Sequence, residues 1–208
     1  MAQAVQALVD TIRSYFQQCA VGRPDLRAAI DHLRAAAGPV QSATAFGQAA
    51  KPAVNTASAR YLSAALATGT AGPAAVLAAA IAAARGELDW YYGYAPVPDQ
   101  PDLPDKIAFC EIVGPKARLN SNTTRLGFTL IGPGTHYPAH AHPAVELYHV
   151  IAGTARWSTP MASAERPPGS FILHRASEPH AMETAAEPLL ALYSWSGDIV
   201  APSRYVSL

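Results

Sequence analysis

The second half of this chain consists of short segments in which apolar residues recur at every second position. These segments are rich in β-branched and aromatic residues, and Gly, Pro or Ser separates each from the next. They are KIAFCEIVG, TRLGFTLIGPG, AVELYHVIAGTARW, GSFILH, HAMETA and PLLALYSWSGD. A separation that recurs at about ten residues is typical of an all-β sandwich or barrel. The pattern therefore predicts a β-barrel over residues 107–208.

The first 88 residues follow a helical period instead. Between Ala4 and Cys19 the apolar residues recur every three or four positions, which places them on one stripe of a helix. Similar stripes occur in RPDLRAAIDHLRAAAG, TASARYLSAALATG and GPAAVLAAAIAAARG. Pro24 suits a first helical turn and Gly38 suits a helix end. We predict that residues 1–88 form a helical region packed on the barrel, whose first helix covers the barrel's edge or meets a second subunit.

Residues 89–106 connect the two parts and combine prolines with aromatic residues, as in WYYGYAPVPDQPDLPDK. Proline lacks a backbone N–H and disrupts helix interiors, so this stretch is neither a long helix nor a central strand. We predict a loop. Its aromatic residues would serve as a lid over a site, or would fix the helices onto the next layer.

The charge of the chain is balanced at 15 basic and 15 acidic residues, without a block of one sign. This balance favours neither a nucleic acid nor a membrane as partner, so a small molecule is the expected ligand. The N-terminal residues lack the basic start and unbroken apolar run of a secretory signal, and the most apolar window is too short to span a bilayer. We expect a cytoplasmic protein in which Cys19 and Cys110 are structural thiols.

Polar residues concentrate in GTHYPAHAHPAVELYHVIAG, which holds four of the seven histidines. His140, His142, Glu146 and Tyr148 share one parity, so on extended strands their side chains lie on one side. Imidazoles and a carboxylate that face a barrel interior need a partner, because burying them unpaired is costly. This set suits a divalent first-row metal ion.

Another histidine should complete the ligands from elsewhere in the barrel. His180, at the far side of a turn after a glycine-started strand, is the best candidate. His32 is expected to be an ordinary surface or core residue, and His149, whose odd parity points away from the cluster, is expected to be structural. His136 and His174 are not among the predicted ligands.

The spacing of these residues resembles the first cupin motif. The matching positions are Gly134, His140, His142, Glu146 and Gly153. Gly169 and His180 match the glycine and histidine of the second motif, whereas Arg175, Ser177 and Thr184 stand where that motif commonly has Pro, Gly and Asn. The resemblance implies a mainly β fold, the double-stranded β-helix or jelly-roll barrel of cupins, over roughly residues 107–198.

A narrower resemblance is carried by HYPAHAHPAVELYHVIAGTARW, PPGSFILH, PHAMET and EPLLALYSWSGD together with the helical region. The chain resembles the cupin dimethylsulfoniopropionate lyases of marine bacteria, of the DddQ type. The resemblance implies a metal-dependent carbon–sulfur lyase that cleaves this zwitterion to dimethyl sulfide and acrylate. It implies Tyr148 as the base and Tyr137 and Trp195 as pocket residues. His140 would either bind the metal or contact substrate while Tyr148 takes its place.

The chemistry of a β-elimination is compatible with these residues. A free phenol has a pKa of about 10, and a metal-induced decrease of about 3 units, equal to about 4 kcal/mol, would supply phenolate at neutral pH. An onium group binds favourably over aromatic faces. Tyr137, Tyr193 and Trp195 are the candidates for this contact.

Other functions are compatible with the same ligands. One alternative is a metal-dependent dioxygenase or isomerase of a small organic acid; another is a non-catalytic cupin that binds a ligand. The helices could also serve a sensor by binding DNA, which the neutral charge disfavours. Nitrogen and oxygen ligands accept Fe, Zn or Mn, so the sequence predicts one divalent metal without selecting it. A monomer and a homodimer are both compatible with the sequence.

Overall fold

The computed structural model describes residues 2–20, 23–36, 55–115 and 117–208. Its helices are α1 (Ala2–Cys19), α2 (Arg27–Ala36), α3 (Thr56–Gly69), α4 (Ala75–Ala84) and α5 (Leu103–Lys106), with 3-10 turns at Pro24–Leu26 and Arg85–Glu87. Its strands are β1 (Ile107–Gly114), β2 (Leu119–Asn120), β3 (Thr124–Ile131), β4 (His136–Ala141), β5 (Ala144–Ala152), β6 (Ala155–Thr159), β7 (Ala162–Arg166), β8 (Phe171–His174), β9 (His180–Thr184), β10 (Leu189–Gly197) and β11 (Arg204–Tyr205). The predicted mainly β fold with N-terminal helices is confirmed.

The helices bury the stripes that their sequences predict. Helix α1 packs against α2 and α4. Its buried residues are Val5, Leu8, Val9, Ile12 and Phe16. Asn55 caps α3, because its side-chain oxygen accepts a hydrogen bond from the Ser58 N–H at 2.8 Å. Gly38, the predicted helix end, lies outside the described residues. Across the described part of the chain, no helix is both long and apolar enough to cross a membrane.

The strands form two facing sheets. One sheet has the order β2-β1-β3-β10-β5-β8, and the other has the order β11-β4-β9-β6-β7. In the first sheet, β10 pairs antiparallel with β3 at one edge and with β5 at the other. Strand β10 therefore brings side chains from β3 and β5 together on one face.

The six-stranded sheet is covered on both faces. On β5, Leu147 and Ile151 belong to the apolar core shared with the helices. Tyr148 and Val150, of the opposite parity, belong to a second core that also includes residues of β6 and β9 from the other sheet. The even-numbered side of β5 thus faces the space between the sheets, as its alternation predicts.

Two turns at cupin-motif positions have backbone conformations that favour glycine. Gly153 has a φ of 74°, and a Cβ at this position would collide with the Pro188 carbonyl oxygen. Ser177 stands at a usual glycine position and has a φ of 60°, a conformation that costs a non-glycine residue about 1–3 kcal/mol. The Ser177 N–H donates to the His142 carbonyl at 2.8 Å. The strained turn is therefore tied to the segment that carries the histidines.

Residues 89–106, all of which are described, contain α5 and two isolated bridges but no long helix and no strand. Trp90 lies in the core shared with the helices. Tyr92 and Tyr94 pack against the core between the sheets. The segment thus contacts both cores, and its function as a lid stays a prediction.

Candidate metal centre

Three of the predicted ligands converge between the two sheets. The ligand atoms of His142, Glu146 and His180 all lie within 4.8 Å of one another. Glu146 lies on β5, His142 two residues before that strand, and His180 begins β9 of the opposite sheet. All three residues are buried, with exposed fractions of 3% for His142, 2% for Glu146 and 0% for His180. Among the residues that the structure describes, this is the one group of histidine, cysteine and acidic side chains with metal-ligand spacing.

Backbone carbonyls fix the protonation pattern of these imidazoles. The Nδ1 atom of His142 lies 3.1 Å from the Ala144 carbonyl, and that of His180 lies 3.0 Å from the Glu178 carbonyl. Because a carbonyl can only accept a hydrogen bond, each Nδ1 carries a proton and donates. In the neutral rings, Nε2 therefore presents a lone pair. Such outer hydrogen bonds are the usual means of orienting a metal-binding histidine.

The free Nε2 lone pairs face a carboxylate oxygen. Glu146 Oε2 lies 2.8 Å from His142 Nε2 and 3.3 Å from His180 Nε2. Burial opposes a charge on Glu146, but His142 and His180, when protonated at Nε2, donate to it and outweigh burial, which holds the Glu146 pKa well below its ordinary range. Three acceptors at these distances repel one another unless a proton or a metal ion lies between them. Two imidazoles and one carboxylate therefore fit a divalent metal.

His140 lies beside this group. Its ring centroid is 4.1 Å from that of His180 and 4.1 Å from that of Tyr137, on which it stacks. Its Nδ1 donates to the Pro138 carbonyl at 2.9 Å, so its Nε2 is also left as an acceptor when the ring is neutral. Burial, followed by the proximity of His180, holds the His140 pKa well below its ordinary value. The neutral ring is thus adjacent to the three converging ligands.

Tyr148 lies on the same face of β5 as Glu146 and is buried. Burial, followed by the charge of Glu146, raises the Tyr148 pKa well above its ordinary value. Without a cation nearby, this phenol stays protonated at neutral pH.

The predicted pocket aromatics occupy different surroundings. The Trp195 Nε1–H donates to Glu146 Oε1 at 2.8 Å, and the indole stacks on His142 with centroids 3.9 Å apart. The guanidinium carbon of Arg125 lies over the same indole at 5.2 Å. The ring centroid of Tyr193 is 6.5 Å from that of Tyr148. Trp195, Tyr193 and Tyr148 lie on the inner face of the six-stranded sheet.

Tyr137 contacts the segment 89–106. Its hydroxyl donates to the Tyr94 hydroxyl at 2.6 Å, and Tyr94 in turn donates to Ser203 Oγ at 2.8 Å. The Tyr94 ring also stacks on Tyr205 of β11. Residues from this segment and from the end of the chain thus cover the side of the centre where His140 lies.

The other histidines divide between the two faces. His174 was not predicted as a site residue, yet it stacks on His180 with centroids 3.9 Å and planes 7° apart. The Trp157 Nε1–H donates to its Nε2 at 3.1 Å. Strand pairing, which the sequence alone does not give, explains its position: His174 is the β8 partner of Glu146, so both side chains project to the same face. His149 instead faces the helices, where its Nε2 lies 3.0 Å from the Tyr15 hydroxyl.

The last two histidines, His32 and His136, lie outside the centre. His32 of α2 hydrogen-bonds Thr124 with 2.7 Å between Nε2 and Oγ1. His136 is exposed at the start of β4. Neither side chain belongs to the group of converging ligands.

Comparisons with known proteins place this geometry in a family. The family model described as dimethylsulfoniopropionate lyase matches residues 28–191. DddL of Cereibacter sphaeroides, a proposed dimethylsulfoniopropionate lyase, is 37% identical over 66% of this chain and 58% of its own length. The dimethylsulfoniopropionate lyase DddQ of Ruegeria pomeroyi is 31% identical over 47% of this chain and 49% of its own length. The matches thus span about half the length of these curated relatives.

Solved structures support the same fold. The crystal structure of DddQ from Ruegeria pomeroyi matches with a TM-score of 0.69 and 22% identity over 99% of this chain and 98% of that chain. A chain from the crystal structures of the lyases RdDddP and RnDddQII matches with a TM-score of 0.70 and 23% identity over 99% of both chains. At these identities the likeness concerns the fold, and it confirms the predicted cupin-like barrel. With the family model matching most of its length, this chain belongs to the dimethylsulfoniopropionate lyase family.

Proposed function

We propose that this protein cleaves dimethylsulfoniopropionate to dimethyl sulfide and acrylate with the help of one divalent metal ion. The observation that carries the proposal is the buried convergence of His142, Glu146 and His180 in a chain of this family. In this proposal these three residues hold the metal, and Tyr148 or His140 completes the ligand set. When bound, the metal supplies Lewis acidity that stabilises negative charge at the substrate carboxylate and lowers the pKa of a neighbouring phenol.

Tyr148 is the proposed base. Its position supports this role, because Tyr148 lies two residues beyond Glu146 on the same face of β5. As phenolate, it accepts the proton from the carbon next to the substrate carboxylate. The electron pair of that C–H bond forms the double bond of acrylate, while the C–S bond breaks and its electrons leave on neutral dimethyl sulfide. Each turnover therefore leaves one proton on the phenol oxygen, which must be released before the next.

Aromatic faces are proposed to hold the sulfonium group. A desolvated cation over such faces gains about 0.5–2 kcal/mol. Tyr137, Tyr193 and Trp195 are the three candidate rings. The Trp195 indole already contacts His142 and the cationic Arg125. We therefore assign the sulfonium contact chiefly to Tyr137 and Tyr193, and we assign Trp195 to the pocket wall near the ligands.

Production of dimethyl sulfide in the headspace above purified protein tests the proposal. The protein is stripped with a chelator, divided, and restored with Zn²⁺, Fe²⁺ or Mn²⁺ before dimethylsulfoniopropionate is added. We expect equal amounts of dimethyl sulfide and acrylate from at least one restored sample and none from the stripped sample. Turnover that persists undiminished under the chelator would contradict the metal requirement.

The same assay separates the alternatives. If every restored sample binds metal but releases no dimethyl sulfide, the lyase proposal is wrong, and a dioxygenase or isomerase of another small acid becomes the leading explanation. Binding of dimethylsulfoniopropionate without any product would instead indicate a ligand-binding cupin. The cytoplasmic location, the choice between monomer and homodimer, and a marine bacterial source stay predictions from the sequence.

A further inference from the structure

We propose that Arg125 is a positioning residue of the metal centre, which acts through Trp195 on Glu146. This inference rests on the proposed function of His142, Glu146 and His180 as metal ligands. In the six-stranded sheet, Arg125 of β3 is the partner of Trp195, and Trp195 is the partner of Glu146 of β5. Directly opposed residues project to the same face. The three side chains therefore form a row across β3, β10 and β5.

The contacts along this row link Arg125 to the carboxylate. The guanidinium carbon of Arg125 lies over the Trp195 indole at 5.2 Å, a favourable cation–π distance. The Trp195 Nε1–H donates to Glu146 Oε1 at 2.8 Å. The other oxygen, Oε2, faces both ligand imidazoles. The direction of the indole thus decides which carboxylate oxygen is turned toward the metal position.

The indole is held on both flanks of β10. His142, which precedes β5, stacks on it from one flank, with ring centroids 3.9 Å apart. Arg125 reaches it from β3 on the other flank. The Trp195 backbone is also fixed, because the Thr124 hydroxyl donates to its carbonyl at 2.9 Å. Among these contacts, Arg125 is the one that holds the ring without itself belonging to the ligand group.

Arg125 is itself restrained. Its Nη1 lies 3.6 Å from Glu111 Oε2, and the side chains of Arg125 and Glu111 are 25% and 9% exposed. A planar guanidinium can pair with a carboxylate while lying on an aromatic face, whereas the ammonium of lysine offers no such plane. We therefore expect the shape of arginine, and not its charge alone, to be required at this position.

A double-mutant cycle with Zn²⁺ alone as the probe tests the inference. The Zn²⁺ dissociation constant is measured by competition with a chelating indicator for the unaltered protein, Arg125→Met, Trp195→Phe and the double variant. Loss of a partner outside the ligands typically weakens metal binding by about 10–100-fold, and we expect about tenfold for Arg125→Met and more for Trp195→Phe. If Arg125 acts through the indole N–H, the double variant should match Trp195→Phe within about twofold.

Two results would overturn the inference: an unchanged dissociation constant in Arg125→Met, or losses that simply multiply in the double variant. Arg156→Met, at an exposed position of β6, is the matched control and should bind Zn²⁺ as the unaltered protein does. If Arg125→Met does not fold, as judged by thermal unfolding without metal, Arg125→Lys decides: weakened binding supports the inference, and unchanged binding overturns it. Failure of the unaltered protein to bind Zn²⁺ would instead overturn the proposed metal centre itself.

Discussion

A buried histidine lies on each side of β5, but the chemical surroundings of the two residues differ. His149 faces the helices and His142 lies at the inner side, with exposed fractions of 1% and 3%. His149 meets the Tyr15 hydroxyl at 3.0 Å and the Phe171 ring at 4.3 Å between centroids. His142 meets the Glu146 carboxylate at 2.8 Å. Burial alone therefore does not mark a metal site; the converging carboxylate does.

The two environments also differ in what they lack. On the helical face, the His149 Nε2 and the Tyr15 hydroxyl form one hydrogen bond, in which one accepts what the other donates. On the inner face, the Nδ1–H groups of His142 and His180 are already used by carbonyls. Their Nε2 atoms and Glu146 are then all acceptors. The inner face therefore suits an added cation, whereas the Tyr15–His149 hydrogen bond forms without one.

Removal of a ligand should have the largest effect. We expect His180→Ala to lose bound metal and all measurable turnover, because the ligands that remain hold a divalent ion weakly. His149→Phe, on the other face, should retain metal, since its environment includes Phe16 and Phe171 rings that an added ring can pack against. Metal content by elemental analysis and dimethyl sulfide release measure both effects. The comparison is wrong if His149→Phe loses its metal while His180→Ala keeps it.

Tyr148→Phe should have the next largest effect. Loss of a general base typically lowers turnover by about 10²–10⁴-fold, and we expect that loss in kcat with little change in KM. Metal content should stay near stoichiometric if the two histidines and Glu146 are the principal ligands. Steady-state kinetics of dimethyl sulfide release provide the measurement. A variant with nearly full kcat would assign Tyr148 to the wall of the barrel and leave the base to another residue.

The pH dependence of stability should distinguish the helical face. Burial lowers the His149 pKa to about 4 from the ordinary 6.5. Between these values the unfolded chain binds a proton that the folded chain does not, so the free energy of unfolding decreases as the pH falls from 6.5 to 4. At 1.36 kcal/mol per unit, the decrease is about 3 kcal/mol. Urea unfolding of the metal-free protein at several pH values measures it.

His149→Phe is the control for this dependence and should show a shallower decrease over the same window. His174, whose pKa burial lowers to about 3, contributes to both proteins and does not affect the difference. Identical slopes for the unaltered protein and His149→Phe would show that His149 titrates normally in the folded chain. The helical face would then be more open to water than its contacts indicate.

Periodicity predicted the elements in which alternation and burial agree. The alternating pattern did not indicate strand β4, because Pro138 lies within the strand and its pairing with β9 shifts register between Tyr137 and His140. Proline has no N–H for the ladder, which explains the interruption. The pattern did not indicate strand β7 either. This edge strand is exposed along nearly all of its length, so its sequence has no alternating buried face.

Parity and motif spacing together selected the three side chains that converge, because parity reports the face of a strand. Their function as metal ligands stays a prediction. Parity and spacing could not select His174 or Arg125, since both reach the centre through pairing between distant strands. His140 shows that parity can also select too many residues. It has the parity of Glu146, yet it lies beside the group of converging side chains. The sequence alone predicts to which side of a strand a side chain projects. The distance between two side chains on that side depends on the register between strands.

Tyr15→Phe should have the smallest effect and directly probes the hydrogen bond between Tyr15 and His149. The variant keeps the ring in place but removes the hydroxyl from His149 Nε2. A buried group left without its partner costs about 1–3 kcal/mol, and because Tyr15 is partly exposed we expect the lower end of this range. Turnover should be unchanged, because the pair lies on the helical side of β5.

If this hydrogen bond is the cause, Tyr15→Phe combined with His149→Phe should recover part of the lost stability, since neither polar group then remains unpaired. Urea unfolding of the single and double variants at pH 7 provides the measurement, and a double variant that loses the sum of both single effects would show that ring packing, not the hydrogen bond, stabilises this face.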